Sequence, residues 1–202
     1  MAKYQAIRAV GESVLAMMRE ACPLAALQLG GSTNFELASL GKLTDSATAP
    51  AEGFYLVLWR VGIGGMPRNL PPRRTRDGRV FKPSLPVDLY FLLLAVTAGA
   101  DKQTQMLGWA LTFMHQLPVL SGEVINRYAI GSPDVFAPEE SVELIADPLS
   151  TADYLSLWDR DRVKSGFQAG MTYVARMVLL DSDQLQSQGA PVTVREFGIG
   201  GA

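Results

Sequence analysis

The chain has 202 residues, 48% of them hydrophobic, and 18 Lys+Arg stand against 20 Asp+Glu for a formal charge of -2. A chain of that size suits one domain, or one domain with appendages, and buries roughly 70% of its unfolded surface, while its near-balanced charge argues against a dedicated nucleic-acid binder. One cysteine excludes an internal disulfide framework or a Cys-based metal cluster, and one histidine excludes a His-pair zinc site.

No basic region followed by an apolar run opens the chain, so no signal peptide is read there and a cytoplasmic protein is expected. Ile7, Val10, Val14, Met18 and Ala21 recur at three- and four-residue spacing, with Arg8, Glu12, Arg19 and Glu20 elsewhere on the wheel. That pattern predicts an amphipathic helix ending before Pro23. Gly30–Asn34 has turn composition ahead of a strand at Phe35–Leu40, and Thr44–Glu52 is a small, polar loop. Phe54–Val61 (FYLVLWRV) is almost continuously apolar and rich in β-formers, which predicts a strand covered on both faces. Pro86–Val96 (PVDLYFLLLAV) is a second such strand, with Asp88 expected at a wet rim. The longest apolar run, Leu89–Ala100, falls short of the roughly 18–20 residues that span a bilayer, so no direct membrane insertion is expected.

Asp101–Gln116 predicts a helix bounded by Pro118. Its apolar positions Met106, Leu107, Ala110, Leu111, Phe113 and Met114 should be covered around most of the circumference. A short alternating strand is expected at Glu140–Ile145. Ser150 caps a helix at Thr151–Arg160 with Leu155 and Trp158 facing the core, and Tyr173–Leu180 is expected to close the sheet. The fold class is α+β: a single mostly antiparallel sheet packed by helices, with a long Pro/Arg-rich arm and a C-terminal tail. The domain spans residues 1–183 with its arm at 62–85, and the tail spans 184–202 with one strand pattern at Val192–Phe197.

The arm is the most informative segment. Gly62–Leu85 carries Pro67, Pro71, Pro72 and Pro83, and its Arg68, Arg73, Arg74, Arg76, Arg79 and Lys82 stand against a single acid, Asp77. Loops of this length are uncommon in compact domains unless functional or disordered, and prolines make this one semi-rigid and extended. Between Tyr128 and Asp159 there is no Lys or Arg, yet Asp134, Glu139, Glu140, Glu143, Asp147, Asp153 and Asp159 lie there. Segregated charge suits a head-to-tail contact in which the arm of one subunit reaches the acidic segment of the next; two unrelated solvated patches are the alternative.

Catalytic patterns are missing from the sequence. His115 lies on the apolar helix and reads as structural, Cys22 shows no sign of activation, and Trp59, Trp109 and Trp158 read as core. Asp181-Ser182-Asp183 reads as a turn rather than a cation site. The glycine repeats Gly62–Gly65 and Gly198–Gly201 match neither phosphate-binding pattern and read as joints. No enzyme activity and no cofactor are expected.

In their order and spacing, several segments resemble the short cap proteins, or tail terminators, of phage-tail-like contractile injection systems of the antifeeding-prophage type. These are IRAVGESVLAMM, FYLVLWRV, PSLPVDLYFLLLA, MLGWALTFM, DVFAPEESVELIADPLSTADYLSLWD and TYVARMVLLDSD, covering Ile7 to Asp183. Arg160–Gln168 is more charged than that pattern, and the tail beyond Asp183 matches nothing in it. The resemblance implies a structural role: a hexameric ring on the distal end of the inner tube, stopping tube growth and holding the last sheath ring. It implies no catalytic residues, and makes the partners further copies of the chain, the inner-tube protein and the sheath protein.

On this reading Arg68, Arg73, Arg74, Arg76, Arg79 and Lys82 meet Glu139, Glu140 and Glu143 across the subunit interface. Val192, Val194 and Phe197 form a strand that attaches to the sheath. The alternatives are another tail subunit (tube, baseplate or head–tail completion protein), then a nucleic-acid-binding module using the arginine arm.

Overall fold

The computed structural model describes residues 4–43, 50–63, 70–75, 77–129, 134–158 and 169–186. Thirteen elements follow in chain order: α1 (Ala6–Ala21), β1 (Asn34–Ala38), α2 (Leu40–Leu43), β2 (Gly53–Ile63), β3 (Arg73–Arg74), β4 (Val80–Phe81), β5 (Leu85–Val96), α3 (Ala100–His115), β6 (Val119–Ser121), α4 (Gly122–Tyr128), β7 (Ser141–Ala146), α5 (Thr151–Ser156) and β8 (Gly170–Leu180). Six strands form one sheet in the order β1-β2-β5-β8-β7-β6, and β3 and β4 form a separate hairpin. Among the described residues only the β1–β2 pair is parallel, so the α+β sheet is mixed but mostly antiparallel, with helices against it.

Of the two long apolar runs, β5 is central and β2 lies second from the border, and alternation lets each bury residues on both faces. Phe54 and Leu56 of β2, with Phe91, Leu93 and Ala95 of β5, join the main core. Tyr55, Val57, Leu92 and Leu94 point the other way, against Leu43 and Trp158. Coverage on both faces stops after Val57: from Leu58 onward β2 is half-buried or exposed. The main core is roofed by α1, whose predicted stripe buries Val10, Val14 and Met18. Each such side chain contributes roughly 1.5–3 kcal/mol relative to exposure. Ser13, also buried, donates from Oγ to the Ala9 carbonyl at 2.7 Å and the Ile125 carbonyl at 3.1 Å, tying α1 to α4.

Several expectations need correction. The α3 helix buries only Met106, Ala110 and Met114, and Leu111 and His115 are exposed, because a single sheet face covers one side of it. Trp109 is half-buried against Phe54 at a 5.2 Å ring separation. The strand expected to reach Leu40 stops at Ala38, and Leu40 opens α2 instead. Helix α5 ends at Ser156; its Leu155 faces solvent while Trp158, just beyond, enters the smaller core. Ser150 caps it as expected, accepting from the Asp153 amide at 3.1 Å. Asp88 is half-buried inside the sheet rather than at a rim, and β8 lies between β5 and β7 instead of closing the sheet.

Candidate functional site

The described part of the arm is not an extended projection. Thr75 and Gly78 turn it back on itself: the Gly78 amide donates to the Thr75 carbonyl at 2.9 Å and the Thr75 amide to the Arg79 carbonyl at 3.0 Å. Gly78 has φ of 82°, where a side chain would be strained. Asp77 sits in this turn, hydrogen-bonded to the Thr75 hydroxyl and 2.6 Å from Arg79 Nε. The Thr75 hydroxyl, and after it the Arg79 guanidinium, hold its carboxyl below the usual range. The hairpin pairs Arg73 with Phe81 and Arg74 with Val80.

Phe81 anchors the hairpin. Its ring is buried, with the Arg73 guanidinium 4.7 Å and the Arg79 guanidinium 5.6 Å from its centroid. Arg73 Nε also lies 3.4 Å from Asp181 Oδ2, whose carboxylate is almost fully enclosed. Ser84 Oγ donates to the other oxygen of Asp181 at 2.6 Å. After β8 the chain runs beside β4: the Lys82 amide donates to the Gln184 carbonyl and the Gln186 amide to the Val80 carbonyl, each at 2.9 Å. Lys82 Nζ reaches Gln184 Oε1 at 2.7 Å.

The acidic segment stands on the other side of a cleft of about 610 Å³ lined by Pro71, Pro72, Arg74, Glu139, Glu140 and Asp181. Its turn is held by Asn126 of α4, which donates to the Phe136 carbonyl at 2.8 Å and accepts from the Phe136 amide at 2.9 Å. Glu140 accepts from the Ala137 amide at 2.5 Å. Burial pushes the Glu140 carboxyl upward, and the charges of Asp181 and Glu139 push it the same way. Glu139 is exposed, and Glu143 lies 3.9 Å from Arg176.

The structure therefore brings Arg73 and Arg74 to Glu139 and Glu140 within one chain. Arg79 and Lys82 have partners inside the hairpin or along residues 184–186. Arg68, Arg76, Val192, Val194 and Phe197 lie outside the described residues. Asp181, the acid that Arg73 meets, escaped the sequence reading because nothing local links the arm to the end of the last strand.

Little elsewhere suggests chemistry. Among the described residues, no group of three or more His, Cys, Asp or Glu side chains is placed to hold a metal ion. Burial pushes the Cys22 thiol up, away from the reactive thiolate. No described helix is long and apolar enough to cross a membrane.

A family model, the Pvc16 N-terminal domain, matches residues 9–194. Among solved structures, the fold is similar to the sheath/tube terminator of PVC, an extracellular contractile injection system, in its extended state. The identity is 13% and the TM-score 0.55, over 96% of this chain and 63% of that one. The tube-terminating cap of the anti-feeding prophage aligns at 10% identity and a TM-score of 0.49, over 83% of this chain and 56% of the cap. The chain thus spans less than two thirds of the length of either. No curated protein sequence matches it.

Proposed function

The chain belongs to the family of Pvc16 N-terminal domains, and on that premise we propose that it caps the inner tube of a contractile injection system and anchors the last sheath ring. The observation that carries the reading is the family match across residues 9–194, supported by a fold shared with a sheath/tube terminator. In this role the chain is a structural component of a phage-tail-like particle, and its partners are the tube protein, the sheath protein and copies of itself in a six-membered ring.

Termination has a simple physical basis. Tube rings stack because the upper surface of each is complementary to the lower surface of the next. A cap copies one of those surfaces and omits the other, so growth ends on it. Each subunit binds the tube end weakly, but linked subunits engage together, and avidity raises overall affinity by about two to four orders of magnitude. The isolated chain is then monomeric until a tube end gathers it.

The domain of residues 1–183 forms the ring, with the arm at 62–85, and residues 184–202 form the tail. The subunit contact uses the bipolar patch around the cleft. Arg68, Arg74, Arg76, Arg79 and Lys82 of the arm, with Arg73 behind them, meet the neighbour's Glu139, Glu140 and Glu143. Its support is that Arg74 and Glu139 are exposed and both line that cleft, while Arg79 and Lys82 are exposed on the arm. Val192, Val194 and Phe197 add a strand to the sheath.

Electron microscopy of particles made with and without the chain tests the reading. Overlong, unsheathed or unstable tails without it, and added density at the distal end with it, are expected. Normal length and sheath in its absence would end the cap role.

A further inference from the structure

Among the described residues, the main sheet has two open borders at the same level. β1 covers only Gly53–Val57 of β2, so among the described residues Leu58–Ile63 has no strand on its outer side. Val61 and Ile63, which follow a bulge between Leu58 and Arg60 and reach the end of β2, are 48% and 60% exposed although both are β-branched. At the opposite border stands β6, whose Val119 is 55% exposed. The register links the two. Val61 lies opposite Leu89, Leu89 opposite Ala175 and Ala175 opposite Leu144, whose amide donates to the Pro118 carbonyl. One row of the sheet thus runs from the β2 border to the start of β6.

Charge completes the match. Arg60 lies against two rings, its guanidinium 3.8 Å from the Tyr90 ring centroid and 5.6 Å from that of Trp59. Among the described residues it has no acidic partner. Glu143 lies beside Val119 at the other border, on the sheet face opposite Val142 and Leu144. Arg60, opposite Tyr90, occupies that same face, since its neighbours Leu58 and Val61 lie on the main-core side with Phe91 and Leu89.

We propose that neighbouring copies join edge to edge, the Leu58–Ile63 border of one lying beside β6 of the next, so that the sheet continues from subunit to subunit. Four antiparallel steps separate β2 from β6, so the two strands run in the same direction and a head-to-tail junction pairs them in parallel. The junction satisfies backbone groups on both borders, covers the main-core face beside Val61 and Ile63, and on the other face sets Arg60 beside Val119 and near Glu143. It is heterologous, the kind of contact that closes a ring. This proposal deepens the cap reading and rests on its ring; it adds a second contact to the arm–acid one.

The test is cross-linking of the full-length chain in a Cys22→Ser background, carried out in assembled particles. The double variant Ile63→Cys/Val119→Cys treated with a short bis-maleimide should give a ladder of oligomers. Either single variant, or Ile63→Cys with exposed Leu155→Cys, should give none. Separately, Arg60→Glu should reduce the fraction of chain on particles about tenfold, and Arg60→Glu/Glu143→Arg should restore it. No ladder from chains that micrographs place at the tube end overturns the edge junction and leaves the cap reading intact. No ladder from folded chains that never reach tube ends overturns both.

Discussion

Asp181→Asn isolates the contact that folds the arm onto the domain. Asp181 is 5% exposed and Arg73 20% exposed across a 3.4 Å gap, so neither charge is fully hydrated. At an effective dielectric of about 20, two unit charges at that distance attract by about 5 kcal/mol before desolvation. Desolvation offsets much of this, and water reaches the variant's Arg73, so a net loss of about 2 kcal/mol is expected. Asparagine keeps the shape and still accepts from the Ser84 hydroxyl, so the change reports mainly the charge.

The assay is amide hydrogen exchange on the native chain. The Lys82 and Gln186 amides, which bond Gln184 and Val80, report release of the hairpin. A loss of about 2 kcal/mol speeds their exchange about 30-fold if the arm opens on its own. Amides in the middle of β2 and β5 should be unaffected, because the hairpin is a separate two-strand unit. In Arg73→Met the same substitution at 181 should have a much smaller effect, as a double-mutant cycle requires. Unchanged exchange at Lys82 and Gln186 would refute the latch. Equal acceleration at Leu93 would show that the arm opens only with the whole domain.

Three further outcomes follow from the geometry. A methyl at buried Gly122 would sit 2.2 Å from the Ala137 carbonyl oxygen, so Gly122→Ala should cost about 2–3 kcal/mol in denaturant melts, whereas Gly108→Ala, on α3 with open space around it, should stabilise by about 0.5–1 kcal/mol. Glu140, with its carboxyl raised by burial, binds its proton more tightly folded than unfolded. Stability therefore falls as pH rises from the unfolded value through the folded one, and Glu140→Gln should flatten that slope and be at least as stable at pH 7. Truncation after Gln186 should abolish sheath attachment while leaving the arm in place. Truncation after Asp183 should also speed exchange at the Lys82 amide, since it removes Gln184; attachment surviving both would refute the tail's role.

The sequence alone determined the elements whose burial follows from local pattern. The α1 stripe, the doubly apolar runs of β2 and β5, the alternation of β7 and the Ser150 cap were all legible, because each answers to a period or a cap set by nearby residues. The family resemblance was legible for the same reason, resting on the order of those segments.

Tertiary structure decided the rest. Gly122–Tyr128 is too short to hold as an isolated helix; α4 stands because Ser121 caps it, Ser13 bonds its Ile125 carbonyl and Asn126 grips the Phe136 backbone. The apolar circumference of α3 exceeded what one sheet face covers, which leaves Leu111 in solvent. The arm's arginines and prolines read as an extended strap, yet the side chain that holds Arg73 comes from the end of β8. The cleft and the two open sheet borders likewise depend on which strands become neighbours. That is set by contacts between distant residues, and no local pattern encodes it.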